Sequence, residues 1–336
     1  MSENNTSESP SNKSNIIKIS VIIIISLFLV WFLLTRITID DVKNVFSEVK
    51  PIYIILGLIF YSLSYVFRAL RFYFLLNKKV KFKDLLIIVF VHNMMNTILP
   101  ARTGELSYIY LLKKHKIPLE DRIATLALAR IFDFIIIACF LITAILFLRD
   151  LPMVITSIFW VVALCMIILI IILTALLYYT DSFKNSINRF AVKLKINRFK
   201  TTNRMMKVIE DTIMSFKKFK SQRILLKNSV ISLSIWIILF ITYYFFIRAF
   251  RIELSFIEIV VTGSFITFLP ILPIYGAGGF GTTEGAITII MVAFGIAESH
   301  AIVASFGIHI IGFIYIIILG SIAALLLGLK RNTKKL

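Results

Sequence analysis

The sequence predicts an all-α fold, a polytopic helical bundle built to sit in a membrane, and three observations carry that prediction. Apolar residues fill 59% of 336 positions and charged residues only 16%, where a soluble domain carries about 25% charge. Apolar runs at 19–34, 154–178 and 302–329 approach or exceed the roughly 17–25 residues a helix needs to cross a bilayer. Lysine and arginine collect between the runs, as they do in the cytoplasmic loops that orient membrane proteins.

The formal charge of +19 belongs to that same pattern. The basic residues lie in loops and form no aromatic-interleaved patch, which excludes a nucleic-acid partner. Cys139 and Cys165 fall inside apolar helices and read as core residues, with neither disulfide nor metal spacing. The four histidines are scattered. No cofactor motif stands out. Residues 1–14 form a polar, disordered cytoplasmic tail, and the first apolar run lacks a small-residue cleavage site, so it reads as a retained anchor.

Charge and hydropathy solve the topology together. Lys13 and Lys18 precede the first span, 19–34; the next loop is balanced; the second span, 51–76, ends in Lys78, Lys79, Lys81 and Lys83. The stretch 85–112 is broken by Pro-Ala-Arg-Thr-Gly-Glu at 100–105 and is basic on both flanks. Neither arm reaches the ~20 residues of a crossing, so a re-entrant hairpin is expected. Spans at 124–148 and 153–179 follow, then a loop at 180–227 with thirteen Lys/Arg against three Asp/Glu. Within it Phe183, Ile187, Phe190 and Leu194 recur at helical spacing among basic residues, the pattern of an interfacial amphipathic helix or of a plain topological anchor.

After a span at 229–250, the stretch 256–296 is interrupted by a Pro- and Gly-rich segment at 270–285 and predicts a second hairpin of opposite sense. The last span, 301–329, precedes a basic cytoplasmic tail at 330–336. The expectation is about six full spans and two opposed re-entrant hairpins in a single transmembrane domain, 15–329, with both termini cytoplasmic. The rival division counts eight or more ordinary spans. Irregular backbone at membrane depth survives only against protein or a wet cavity, and opposed broken helices are one way transporters build a midplane site.

Ionisable groups inside such segments are candidate functional residues because unpaired charge in hydrocarbon costs several kcal/mol. Arg102, Gly104 and Glu105 mark the first hairpin tip, where the ion pair either serves a ligand or only holds the turn. Arg130 and Asp133, three residues apart, share a helix face and reach each other or a common partner. Arg68 and Arg71 lie near the cytoplasmic end of their span, so they either snorkel to the interface or meet an anionic headgroup. At the second tip, residues 276–281 match G-x-G-x-x-G literally. No βαβ context surrounds them, so a dinucleotide site is rejected. The reading is a tip of Gly279 and Gly281 whose amides, at a helix N-terminus, attract anions. Glu284 either caps that terminus or pairs with an arginine of the other tip.

The ordered set Arg68-x-x-Arg71, Pro100-x-Arg102-x-Gly104-Glu105, Arg130-x-x-Asp133 and Gly278-Gly279-x-Gly281-x-x-Glu284 resembles the lysylphosphatidylglycerol synthase transmembrane-region family over roughly 19–329. Tyr108, Ala129 and Thr283 stand where that family commonly carries ionisable groups. The resemblance implies a flippase- or scramblase-like plasma-membrane protein moving an anionic or aminoacylated lipid, or a lipid-linked precursor. Seven residues follow the last span, so the aminoacyl-transferase domain of the best-understood relatives is expected to be absent, and no enzyme is predicted. The alternative is a non-transporting subunit that binds a lipid-linked glycan or partners a glycosyltransferase. Membrane lipids, and a lipid-modifying enzyme or glycosyltransferase, are the expected partners.

Overall fold

The structure, a computed structural model, describes residues 24–99, 103–148, 153–193, 200–268 and 277–332. Every regular element among them is helical. In chain order these are α1 (Ile24–Leu34), α2 (Ile39–Ser47), α3 (Pro51–Leu75), α4 (Phe82–Ile98), α5 (Glu105–Leu112), α6 (Leu119–Phe147), α7 (Met153–Tyr178), α8 (Thr180–Lys193), α9 (Lys200–Ser215), α10 (Gln222–Ala249), α11 (Phe256–Phe268), α12 (Thr282–Ala293) and α13 (Glu298–Asn332).

Among the described residues α3, α6, α10 and α13 are each long and apolar enough to cross a bilayer. Ala163–Tyr178 within α7 qualifies when joined to α8 across a 108° bend. Starts and stops follow local chemistry. Thr38 and Asp41 form a reciprocal capping box at α2, and Pro51 opens α3 at a position where the missing N–H costs nothing. The outward faces carry large apolar side chains, among them Trp160, Leu164 and Ile171 on α7 and Ile314, Ile318 and Leu325 on α13. Water would not tolerate so broad an apolar surface; lipid does.

Contacts at the helix ends sort the molecule into two poles. At one, the Lys50 amide donates to the Ala249 carbonyl at 2.9 Å, His300 Nε2 donates to the Phe250 carbonyl at 2.7 Å, and Arg36 meets Glu298 at 3.1 Å. At the other, Lys218 pairs with Asp121, Lys217 with Asp181 at 2.9 Å, and Leu76, Lys79, Ile117 and Lys218 line one hollow. The segment α4–α5 therefore leaves and returns at the second, basic pole, whereas α11–α12 leaves and returns at the first. These are the two short-armed hairpins of opposite sense. Their arms are 17 and 8 residues in the first and 13 and 12 in the second.

Gly104 lets the first hairpin close. A Cβ there would overlap the backbone of Met95 and Asn96, which cannot yield without parting α4 from α5. Gly104→Ala is expected to destabilise the protein by about 1–3 kcal/mol or more, seen as a lower melting temperature in neutral detergent. A wild-type melting temperature would show that the hairpin is not closed this tightly.

Two sequence expectations are corrected. Cys139 and Cys165 are exposed on outward faces, not in the core. In a helix apolar all round, hydropathy cannot tell a protein-facing position from a lipid-facing one. The apolar face expected to lie in the interface is partly covered: Phe183 and Ile187 of α8 pack against the main core cluster. Lys184 bonds Glu210 of α9 at 2.9 Å and holds that carboxyl below its usual range. Leu194 lies outside the described residues, as does the side chain of Phe190.

Candidate functional site

The polar groups that the apolar helices carry converge between the hairpins. Arg71 and Asp133, 62 residues apart, form a two-pronged pair, with Nη1–Oδ1 at 2.6 Å and Nη2–Oδ2 at 3.1 Å. Arg71 is only 2% exposed and Asp133 5%, so snorkelling is corrected for Arg71: its guanidinium turns inward. The reason is energetic, because a fork–fork pair satisfies both ions in a medium that would otherwise penalise each heavily. Ser232 Oγ accepts from Arg71 at 3.1 Å, and Trp236 Nε1 donates to Asp133 at 3.1 Å.

Arg130, one helical turn before Asp133, reaches it at 3.5 Å and donates from Nε to Glu105 at 2.7 Å. The first tip's carboxylate is therefore held by α6. Arg102 lies outside the described residues. His92 Nε2 sits 3.4 Å from Arg130 Nη2; an arginine only donates, so that nitrogen is an acceptor and the ring is neutral in this arrangement.

Arg68 differs from Arg71 and Arg130, which both hold carboxylates. Its Nε is buried without a hydrogen-bond partner, and no ion pair holds its guanidinium among the described residues. It lines a cavity of about 240 Å³ together with Asn93, Asn96 and Thr97 of the first hairpin, Arg130 and Asp133 of α6, and Ile266 and Thr267 of the second hairpin. Asn96 Oδ1 is likewise buried and unpartnered. A second cavity of about 190 Å³ shares Tyr61, Thr97, Leu239, Tyr243 and Ile266 with the first and adds Thr283 and His309. Thr97 and Ile266, one from each hairpin, thus stand between the two cavities.

At the second tip, Glu284 is fully buried. Its Oε2 accepts from the Gly281 amide at 2.8 Å, and its Oε1 lies 2.7 Å from His309 Nδ1. The helix N-terminus expected to attract an external anion is therefore occupied by the chain's own carboxylate, which corrects the open-terminus reading of this tip. Gly279 and Gly281 adopt φ of 78° and 81°. A Cβ at 281 would also fall 2.7 Å from Leu29 of α1, so Gly281 is where the tip turns and touches the first helix. A contact between Glu284 and Arg102 falls outside the described residues.

This constellation of opposed hairpin tips, paired arginines and buried carboxylates spans nearly the whole chain. The model of the lysylphosphatidylglycerol synthase TM region matches residues 16–320. The chain belongs to that family. A curated relative, the UPF0104 membrane protein MJ1595 of Methanocaldococcus jannaschii, is 25% identical over 347 residues, covering 96% of this chain and 99% of the relative. Within this lysylphosphatidylglycerol synthase TM-region fold, Tyr108 and Ala129, where the resemblance leads one to expect ionisable groups, are taken up by packing. Tyr108 is fully buried with its hydroxyl 3.2 Å from Thr125 Oγ1, and the Ala129 carbonyl accepts from Arg71 at 3.5 Å.

Reading the residues in order missed His92, His309, Trp236 and Asn96. A signal existed for the histidines, since an ionisable ring within an apolar span seldom stands there without a partner. Metal-ligand spacing was the wrong test for them, because each pairs with a residue on a different helix.

Proposed function

We propose that this protein is a flippase- or scramblase-like transporter that moves an anionic or aminoacylated lipid, or a lipid-linked precursor, between leaflets. The observation that carries the reading is Arg68, whose buried Nε has no hydrogen-bond partner and whose guanidinium forms no ion pair among the described residues, in a cavity formed where two opposed hairpins meet. Around it Arg71 and Arg130 are matched by Asp133 and Glu105, so among the described residues the local surplus is one positive charge. Such a surplus favours an anionic headgroup over an aminoacylated, cationic one. Asn96 Oδ1 supplies an acceptor for a headgroup hydroxyl.

The basic pole faces the cytoplasm of a plasma membrane, with both termini on that side, by the positive-inside tendency. The paired arginines hold the helices, Arg68 meets the headgroup, and the tips at Gly104–Glu105 and Gly279–Glu284 gate the passage. Transport then draws on an ion gradient or on the lipid's own gradient.

The test is leaflet exchange of fluorescent phosphatidylglycerol and of its aminoacylated analogue in liposomes containing the purified protein. Exchange should be faster for the anionic lipid. Glu284→Gln keeps the acceptor for the Gly281 amide but removes the charge beside His309, and should slow exchange several-fold, roughly 1 kcal/mol of barrier. An unchanged rate would remove the second tip from the gate. No exchange by the protein alone, with a glycosyltransferase co-purifying, would favour the subunit reading and overturn this one.

A further inference from the structure

A separate hollow of about 230 Å³ opens at the basic pole between the end of α3 and the start of α10. Lys78, Arg223 and Lys227 line it, and no carboxylate does. All three side chains are exposed at the mouth, and none forms an ion pair among the described residues; Lys227 stands 5.0 Å over the Phe74 ring. Topology-setting charge alone would explain loose surface lysines. It does not explain the floor.

Asn228 lines the floor at 3% exposure, with neither Nδ2 nor Oδ1 hydrogen-bonded. Arg71 Nε also lines the hollow's inner wall without a partner. A buried amide with both polar atoms unmet is costly, about 1–3 kcal/mol for each group, and nearly all buried polar groups find partners. Two donors and an acceptor at the base, with three uncompensated cations above, match a group that is multiply anionic and carries several oxygens.

We propose that this hollow binds a phosphomonoester or diphosphate, carried on a lipid headgroup at the bilayer surface or free in solution. The charge count sets the class. Arg71 is neutralised by Asp133 on its far side, so the surplus comes from Lys78, Arg223 and Lys227. A phosphodiester would answer one of the three; a phosphomonoester carries about −1.5 to −2 at neutral pH. Asn228 Nδ2 and Arg71 Nε donate to phosphate oxygens, and Asn228 Oδ1 accepts from a protonated oxygen or a bound water. Because Arg71 lines this hollow while gripping Asp133 of the central cavity, one arginine forms the wall between the two sites. The proposal does not depend on the transport reading.

The test is calorimetric titration of the full-length protein in neutral detergent with phosphatidic acid, phosphatidylglycerol and inorganic pyrophosphate. Phosphatidic acid should bind at least about tenfold more tightly than phosphatidylglycerol, the scale of one lost charge-assisted contact. Asn228→Asp, which keeps the shape and reverses the electrostatics, should weaken it at least about tenfold. The double change Arg223→Gln with Lys227→Gln should do the same. Lys113→Gln with Lys114→Gln, an equal charge loss at the same pole but outside the hollow, should leave it unchanged. Competition by pyrophosphate would place the ligand in solution, and binding of phosphatidic acid without it would place the ligand in the bilayer; either supports the site. Equal affinity for the two lipids, or equal weakening by the Lys113/Lys114 control, would reduce the hollow to diffuse basic surface and overturn the proposal. Should Asn228→Asp fail to fold, the Arg223/Lys227 pair decides.

Discussion

Asp133→Asn is expected to destabilise the protein by about 3–5 kcal/mol, the usual result of removing one partner from a buried ion pair. Asparagine keeps the size of the side chain and an acceptor for the Trp236 indole. It leaves the Arg71 guanidinium, 2% exposed, without its counter-charge. The melting temperature in lipid nanodiscs should fall by on the order of 10 °C, and reconstituted exchange should be lost with it. The double variant Arg71→Met with Asp133→Leu separates the two effects. It deletes both charges and fills their volume, so stability should return while the wall between the two cavities loses its polarity. Full stability in Asp133→Asn alone would mean that the pair is not what holds α3 to α6.

Arg68→Gln is expected to show the opposite signature: transport lost, fold kept. Arg68 makes no hydrogen bond through its buried Nε and no ion pair among the described residues, so deleting its charge relieves a desolvation cost and gives up only the attraction of Asp133 across the cavity. The melting temperature should hold or rise. Leaflet exchange of an anionic lipid should fall at least about tenfold, since a charge-assisted contact to a phosphate oxygen contributes roughly 1.5–3 kcal/mol. Arg68→Lys should recover part of the rate, because it restores the charge without the planar fork. Wild-type exchange in Arg68→Gln would sink the central cavity as the headgroup's route. A rate that drops only together with the melting temperature would assign Arg68 to the fold.

The contrast between these two arginines, three residues apart on α3, shows where reading the chain in order stops. Both carry the same local signature of an arginine near the basic end of an apolar span. Arg71 turns toward α6 and α10, where its two Nη atoms are held by Asp133 and Ser232; Arg68 turns toward the hairpins and forms no ion pair among the described residues. An α-helix rotates by about 100° per residue, so residues three apart point in different directions, and which of the two meets a partner depends on how the surrounding helices are arranged. Glu105 makes the same point. Its nearest basic residue in sequence is Arg102, which lies outside the described residues; its partner among the described residues is Arg130, 25 positions away. Glu284 was legible as a cap because its reach to Gly281 is local. Its second partner, His309, was not, because that residue sits on α13.

The membrane character, the helical class, the places of the long apolar helices α3, α6, α10 and α13 and the opposed sense of the hairpins were present in the one-dimensional pattern; of the six full spans expected, four helices qualify among the described residues, or five with the bent α7–α8 pair. Length, hydropathy and flanking charge are local properties, and a bilayer of fixed thickness turns them directly into topology. Which ions pair, which arginine remains unpaired, which faces meet lipid and which polar groups share a cavity were decided only by tertiary packing. Lipid and protein interior are equally apolar, so hydropathy ranks those faces alike. Partner choice in a low-dielectric interior is settled by distances of a few ångströms that no sequence interval encodes.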